Sequence, residues 1–276
     1  LIRSLLRDKK FKEASDSINK WEVLPTQYPA LYKPFILNMK GRIAYAQNDT
    51  VTAAKFFRES SRTNLYAYEP NFFLGKMAID RKDTNSCYNF WVRINNATTT
   101  FGTEQDNALM VYKFMGQYYF ERAPKNGTYA AATYTNAADM FDRVLAIDSS
   151  SATIRLFAGV SHLQARRTYT GKSHLLKAVN VYQKKKDTLA IVYRWLAFAE
   201  LRGETIPNYT NAYNYYQKGI EANANDSSLY NDMATAYFQQ KNYVKAAEVF
   251  GKNLAIQKGA TNKAICLYNR ALCYYY

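Results

Sequence analysis

The stretch Asn71-Phe72-Phe73-Leu74-Gly75, completed downstream by Cys87 and Trp91, decides the fold. Its small and aromatic positions repeat an upstream set, since Gly41 recurs as Gly75, Ala53 as Cys87 and Phe57 as Trp91, each 34 residues on. The interval returns near the C-terminus, where Ala212 and Tyr216 recur as Ala246 and Phe250. Self-similarity at such a period marks stacked helical units, none of which buries its apolar face alone. Glycine or alanine lets two backbones approach, and the aromatic fills the hollow beside them.

Working outward, Tyr112, Met115, Gly116 and Tyr119 match a first helix, with Ala137, Phe141 and Val144 on its second. The fullest copy is Tyr230, Met233, Ala234, Tyr237, Ala246 and Phe250. These residues resemble the tetratricopeptide repeat, a helix-turn-helix unit of this period. The resemblance covers nearly the whole chain. It implies an all-α fold, a right-handed superhelical solenoid of six or seven antiparallel helix pairs whose first helices line the concave face.

Placing the small-residue slot at Gly41, Gly75, Gly116, Gly159, Ala199 and Ala234 leaves intervals of 34, 41, 43, 40 and 35 residues. One array over residues 1–276 follows, with units at 34–67, 68–108, 109–151, 152–191, 192–226 and 227–260 and partial units at 1–33 and 261–276. The extra residues are expected in loops: Asn95 to Gly102, Arg122 to Gly127, and Thr168-Tyr169-Thr170-Gly171-Lys172. The chain opens at Leu1 without methionine and stops at Tyr276 within a helical pattern, so a longer polypeptide is expected.

Hydrophobic residues make up 48% of the chain, which excludes a disordered protein. The best apolar run, Ile191 to Leu201, carries Arg194 and Glu200 and falls short of the roughly 20 apolar residues that cross a bilayer. Three cysteines at 87, 266 and 273 match no redox or zinc spacing and read as free thiols.

The two histidines, His162 and His174, have no carboxylate or cysteine at a metal-ligand interval; both read as surface residues, and no metal or cofactor is expected. Gly171-Lys172-Ser173 lacks the upstream glycine of a phosphate loop. No carboxylate pair stands out for acid-base work, so the reading is non-enzymatic, without a small-molecule substrate.

The family commonly binds its ligand along the first helices, next to the packing slots. One residue past each slot stand Arg42, Lys76, Gln117, Val160, Glu200 and Thr235; three before it stand Asn38, Phe72, Lys113, Leu156, Leu196 and Asn231. Asn38, Arg42, Lys76, Lys113 and Gln117 therefore form the expected peptide groove, suited to an acidic protein segment. The pattern departs from members that hold chaperone C-termini, since Gln117 follows Lys113 and the next unit offers Leu156 and Val160.

A net charge of +15 concentrates between Ser149 and Lys186, where Arg155, Arg166, Arg167, Lys172, Lys177, Lys184, Lys185 and Lys186 meet no acid in sequence. That stretch reads as a solvated basic surface or, alternatively, as an anion-binding face for nucleic acid or acidic lipid. The nucleic-acid reading is disfavoured because many of the 25 tyrosines sit at packing slots. A permanently assembled structural subunit is the other alternative. Asp49-Thr50-Val51 and Asp187-Thr188-Leu189 resemble O-glycan acceptor sites of extracytoplasmic Bacteroidota proteins, which favours a periplasmic or outer-membrane scaffold over a cytoplasmic or organellar one.

Overall fold

The structure, a computed structural model, describes residues 2–23, 29–65, 67–96, 105–124, 128–202 and 206–276, and every regular element among them is an α-helix. The chain forms two compact units, Leu1–Val111 and Tyr112–Tyr276.

The first unit holds α1 (Ile2–Arg7), α2 (Phe11–Glu22), α3 (Pro29–Ala46), α4 (Thr50–Thr63), α5 (Tyr68–Asp80), α6 (Thr84–Asn96) and the opening of α7 (Gln105–Arg122). Three of its turns are built alike. Lys9, Asn48 and Lys82 adopt the left-handed conformation (φ 56°, 63° and 59°). The following N–H groups, of Lys10, Asp49 and Asp83, bond back to the carbonyls of Leu5, Ala44 and Ala78. This is the closure that satisfies the orphan carbonyls of a helix end. Asp49 then caps α4 by accepting from the Thr52 N–H at 3.0 Å, and Asp83 accepts from the Ser86 N–H at 3.0 Å.

Packing follows the repeated slots. Ala14 and Ile18 of α2 pack with Ile36, Met39 and Ile43 of α3. At the α5–α6 crossing a Cβ on Gly75 would lie 2.0 Å from Trp91 Nε1, so glycine is the residue that fits there. Phe57 of α4 stacks on Phe73 of α5 at 5.0 Å, joining one pair to the next.

The second unit continues α7 and adds α8 (Thr128–Ile147), α9 (Ala152–Gln164), α10 (Thr168–Tyr182), α11 (Lys186–Leu201), α12 (Tyr209–Ala222), α13 (Ser227–Gln239), α14 (Tyr243–Ile256) and α15 (Ala260–Tyr275). The left-handed turn returns at Arg166 and Lys241 (φ 62° and 60°).

Three sequence expectations change in this unit. Thr168–Lys172 is not a loop but the first turn of α10, and its Gly171 approaches Gly159 so closely that a Cβ there would meet the Gly159 carbonyl oxygen at 2.8 Å. Gly171 is therefore the small partner of Gly159, and Leu175 fills the aromatic position. Second, α11 starts at Lys186, so the expected boundary at residue 191 falls inside a helix. Third, Ala197, not Ala199, clusters with Ala212 and Tyr216 of α12, while Ala199 clusters with Leu175 and Ala178 of α10. The extra residues around Gly116 and Ala137 lengthen helices, since α7 has 18 residues and α8 has 20 against 13 in α9. Residues 97–102 and 125–127 of the other two expected loops lie outside the described residues.

Candidate functional site

In the first unit, Asn38 and Arg42 on α3 converge on Glu69 in the first turn of α5. Arg42 Nη1 donates to Glu69 Oε1 at 2.8 Å, Arg3 donates to the same oxygen, and Asn38 Nδ2 donates to Oε2. Glu69 and Arg42 are largely shielded, with side chains 14% and 19% exposed. The carboxylate expected from a ligand is here supplied by the chain itself. Lys76 sits over the Tyr45 ring at 5.7 Å, and Arg42 over Phe73 at 5.8 Å, so both cations flank the Tyr45–Phe73 aromatic pair.

Lys113 and Gln117 belong to the second unit, where both are exposed one turn apart on α7. Gln117 Nε2 donates to Glu121 Oε1 at 2.7 Å.

The basic stretch meets acids that are distant in sequence. Arg167 pairs with Asp139 of α8 at 2.7 Å, Lys172 pairs with the buried Glu200 of α11, and Arg155 donates to the Ser149 carbonyl. Arg166, Lys177, Lys184, Lys185 and Lys186 are exposed.

The Ala197 register re-aims α11. Leu196 and Glu200, expected at the ligand-facing positions, are buried. The face they would have occupied belongs to Arg194, Phe198 and Arg202, which fall at i, i+4 and i+8 on one side of the helix. These residues border a cavity of about 400 Å³ between α11 and α13, floored by Trp195, Phe198, Leu201 and Tyr216. Arg194 Nε bonds Asp232 Oδ2 at 2.6 Å, whereas exposed Arg202 lies over the Phe198 ring at 4.6 Å. Burial, with the nearby Asp232 charge, pushes the Tyr216 phenol above its ordinary pKa. Sequence spacing missed this site by two residues; the i, i+4, i+8 run of Arg, Phe and Arg is the signal that marks it.

The histidines are not surface residues. His162 is 2% exposed and His174 is largely covered, and both face Asp142 of α8. Burial favours protonation of Asp142, but hydrogen bonding from the imidazoles and their charge outweigh it and hold the carboxyl well below the usual carboxylate range.

No family model matches the chain, and no curated protein matches it. Solved structures do. YrrB, a TPR protein with an unusual peptide-binding site, is 15% identical over 78% of this chain and 100% of its own, with a TM-score of 0.51. The C-terminal part of a TPR repeat-containing protein from Cytophaga hutchinsonii is 17% identical over 95% of this chain and 96% of its own (TM-score 0.48). A chain of the APC/C Cut9–Hcn1 hetero-tetramer is 14% identical over 98% of this chain (TM-score 0.48), and the present chain spans 48% of its length. The fold is that of the tetratricopeptide repeat: all-α, built from consecutive antiparallel helix pairs.

Proposed function

We propose that the chain is a non-enzymatic scaffold that binds an extended protein segment bearing apolar and acidic side chains and so helps assemble a multiprotein complex. The observation that carries the reading is the α11–α13 cavity, where an apolar floor of Trp195, Phe198 and Leu201 lies beside the exposed Arg202 guanidinium. Burying one Leu- or Phe-sized side chain there is worth about 1.5–3 kcal/mol, and a pair between the exposed Arg202 and a carboxylate adds about 1 kcal/mol or less. Anchors spaced along an extended segment suit side-by-side first helices. Within the second unit, Lys113 and Gln117 offer further polar contacts; in the first unit, taken by itself, Lys76 offers one. Arg42 and Asn38 add to Lys76 only for a ligand that displaces Glu69.

The test is a selection from a random peptide display library on the intact chain, followed by titration of the enriched peptides on wild type, Phe198→Ala and Arg202→Glu. Acidic, apolar peptides are expected to lose about tenfold or more in affinity, a change of about 1.4 kcal/mol, on each variant. Equal binding to all three proteins would sink the reading. Enrichment of basic or wholly polar peptides would contradict its chemistry.

A further inference from the structure

Asp142, His162 and His174 come from three successive helices, α8, α9 and α10, and converge although 20 and 12 residues separate them in turn. His162 Nε2 lies 2.9 Å from Asp142 Oδ2, and His174 Nε2 lies 3.2 Å from Asp142 Oδ1. The two rings stand parallel, 8° apart in plane, with centroids at 5.5 Å. The three potential ligand atoms all fall within 4.8 Å of one another.

We propose that this cluster is a binding site for a divalent transition-metal ion of the zinc class. Two imidazoles and a carboxylate form an N₂O donor set that leaves a fourth position for water or another ligand. A tetrahedral ion with bonds of about 2.0 Å places neighbouring ligand atoms about 3.3 Å apart, a spacing that fits within the 4.8 Å span of the three ligand atoms. A second observation points the same way. Asp142 Oδ1 is buried against the imidazole of His174, whose Nε2 stands 3.2 Å away. A cation held between the carboxylate and the imidazoles would offset the cost of burying that carboxylate charge. The Asp142 side chain is 40% exposed, which opens the cluster to solvent on one side.

The ion would clamp α8 to both helices of the following pair. The site is of moderate strength, because neither His Nδ1 has a hydrogen-bond partner among the described residues. Partners behind the ligands tighten metal centres by about 10–100-fold.

The experiment uses the full chain, stripped with chelator and dialysed, titrated with Zn²⁺ by calorimetry and with Co²⁺ by absorption spectroscopy. Asp142→Asn, which keeps the side-chain shape, and His174→Ala, which alters the less buried histidine, are compared after circular dichroism shows that they fold. The expected result is one equivalent of Zn²⁺, four-coordinate Co²⁺ bands without thiolate charge transfer, and a rise in Tm on loading. Each variant should lose more than the about 100-fold that distal partners contribute. The proposal is overturned by a folded wild-type chain that takes up no stoichiometric metal, by uptake unchanged in both variants, or by thiolate bands that place the ion on Cys87, Cys266 or Cys273.

Discussion

Gly75→Ala tests the packing logic most sharply. The added Cβ would lie 2.0 Å from Trp91 Nε1 and 2.3 Å from Cδ1, against the about 3.5–4.0 Å of an ordinary carbon contact, so the indole must retreat by about 1.5 Å. Trp91 is fully buried and donates its Nε1–H to the Phe72 carbonyl at 3.1 Å. Retreat breaks that buried bond, at about 1–3 kcal/mol, while overpacking adds about 1–3 kcal/mol. Alanine regains about 1 kcal/mol of helix propensity. The net is a destabilisation of about 1–5 kcal/mol by these ranges, centred near 3. Gly251→Ala is the control: its nearest heavy atom would be Arg270 Cζ at 3.6 Å, an ordinary contact, so the propensity gain of up to about 1 kcal/mol should survive as stabilisation. The assay is urea unfolding followed by circular dichroism, comparing midpoints at matched m-values. A neutral or stabilising Gly75→Ala, or a Gly251→Ala as damaging as Gly75→Ala, would refute the reasoning.

Other outcomes follow from local features. Lys82 and Lys241 hold left-handed φ angles of 59° and 60°, which cost a non-glycine residue about 1–2 kcal/mol; Lys82→Gly and Lys241→Gly should each raise stability by up to about 1 kcal/mol, read as a higher Tm. Asp49 and Asp83 have pKa values lowered by hydrogen bonds from Thr52 and Ser86. Their contribution is thus present above the unfolded carboxylate value of about 4 and lost as pH falls through the lower folded values. Asp49→Asn/Asp83→Asn, which keeps both caps, should lose less stability on acidification than wild type, and parallel acid-unfolding curves would count against this. Glu69→Gln removes the charge that Arg3 and Arg42 share; a stability loss of about 1.5–3 kcal/mol is expected in urea, with a gain in affinity for acidic peptides, and unchanged peptide affinity would show that Arg42 takes no part in binding.

Single residues decided what could be read in advance. The slots Gly41, Gly75 and Gly116 were legible because each glycine faces one large aromatic, Phe57, Trp91 or Phe141, and that pairing recurs at a helix-pair interval. Gly171 was misread because Thr-Tyr-Thr-Gly-Lys has the composition of a turn, while tertiary contact with Gly159 holds it in a helix. The register of α11 was ambiguous because Ala190, Ala197 and Ala199 are all buried, some toward α10 and others toward α12. A helix buried on two sides shows no single apolar stripe to fix its phase. The Glu69 cluster and the Asp142–His162–His174 cluster join residues from separate helices, and no local spacing encodes them. The acids that neutralise Arg167 and Lys172 were invisible for the same reason.

The most direct test of the recognition surface is site-specific photo-crosslinking in source cells from position 198, on the α11 face, and from position 214, exposed on α12. The account predicts a protein crosslink from 198 and none from 214; a partner trapped from 214 but not from 198 would place recognition on the second helices and contradict it.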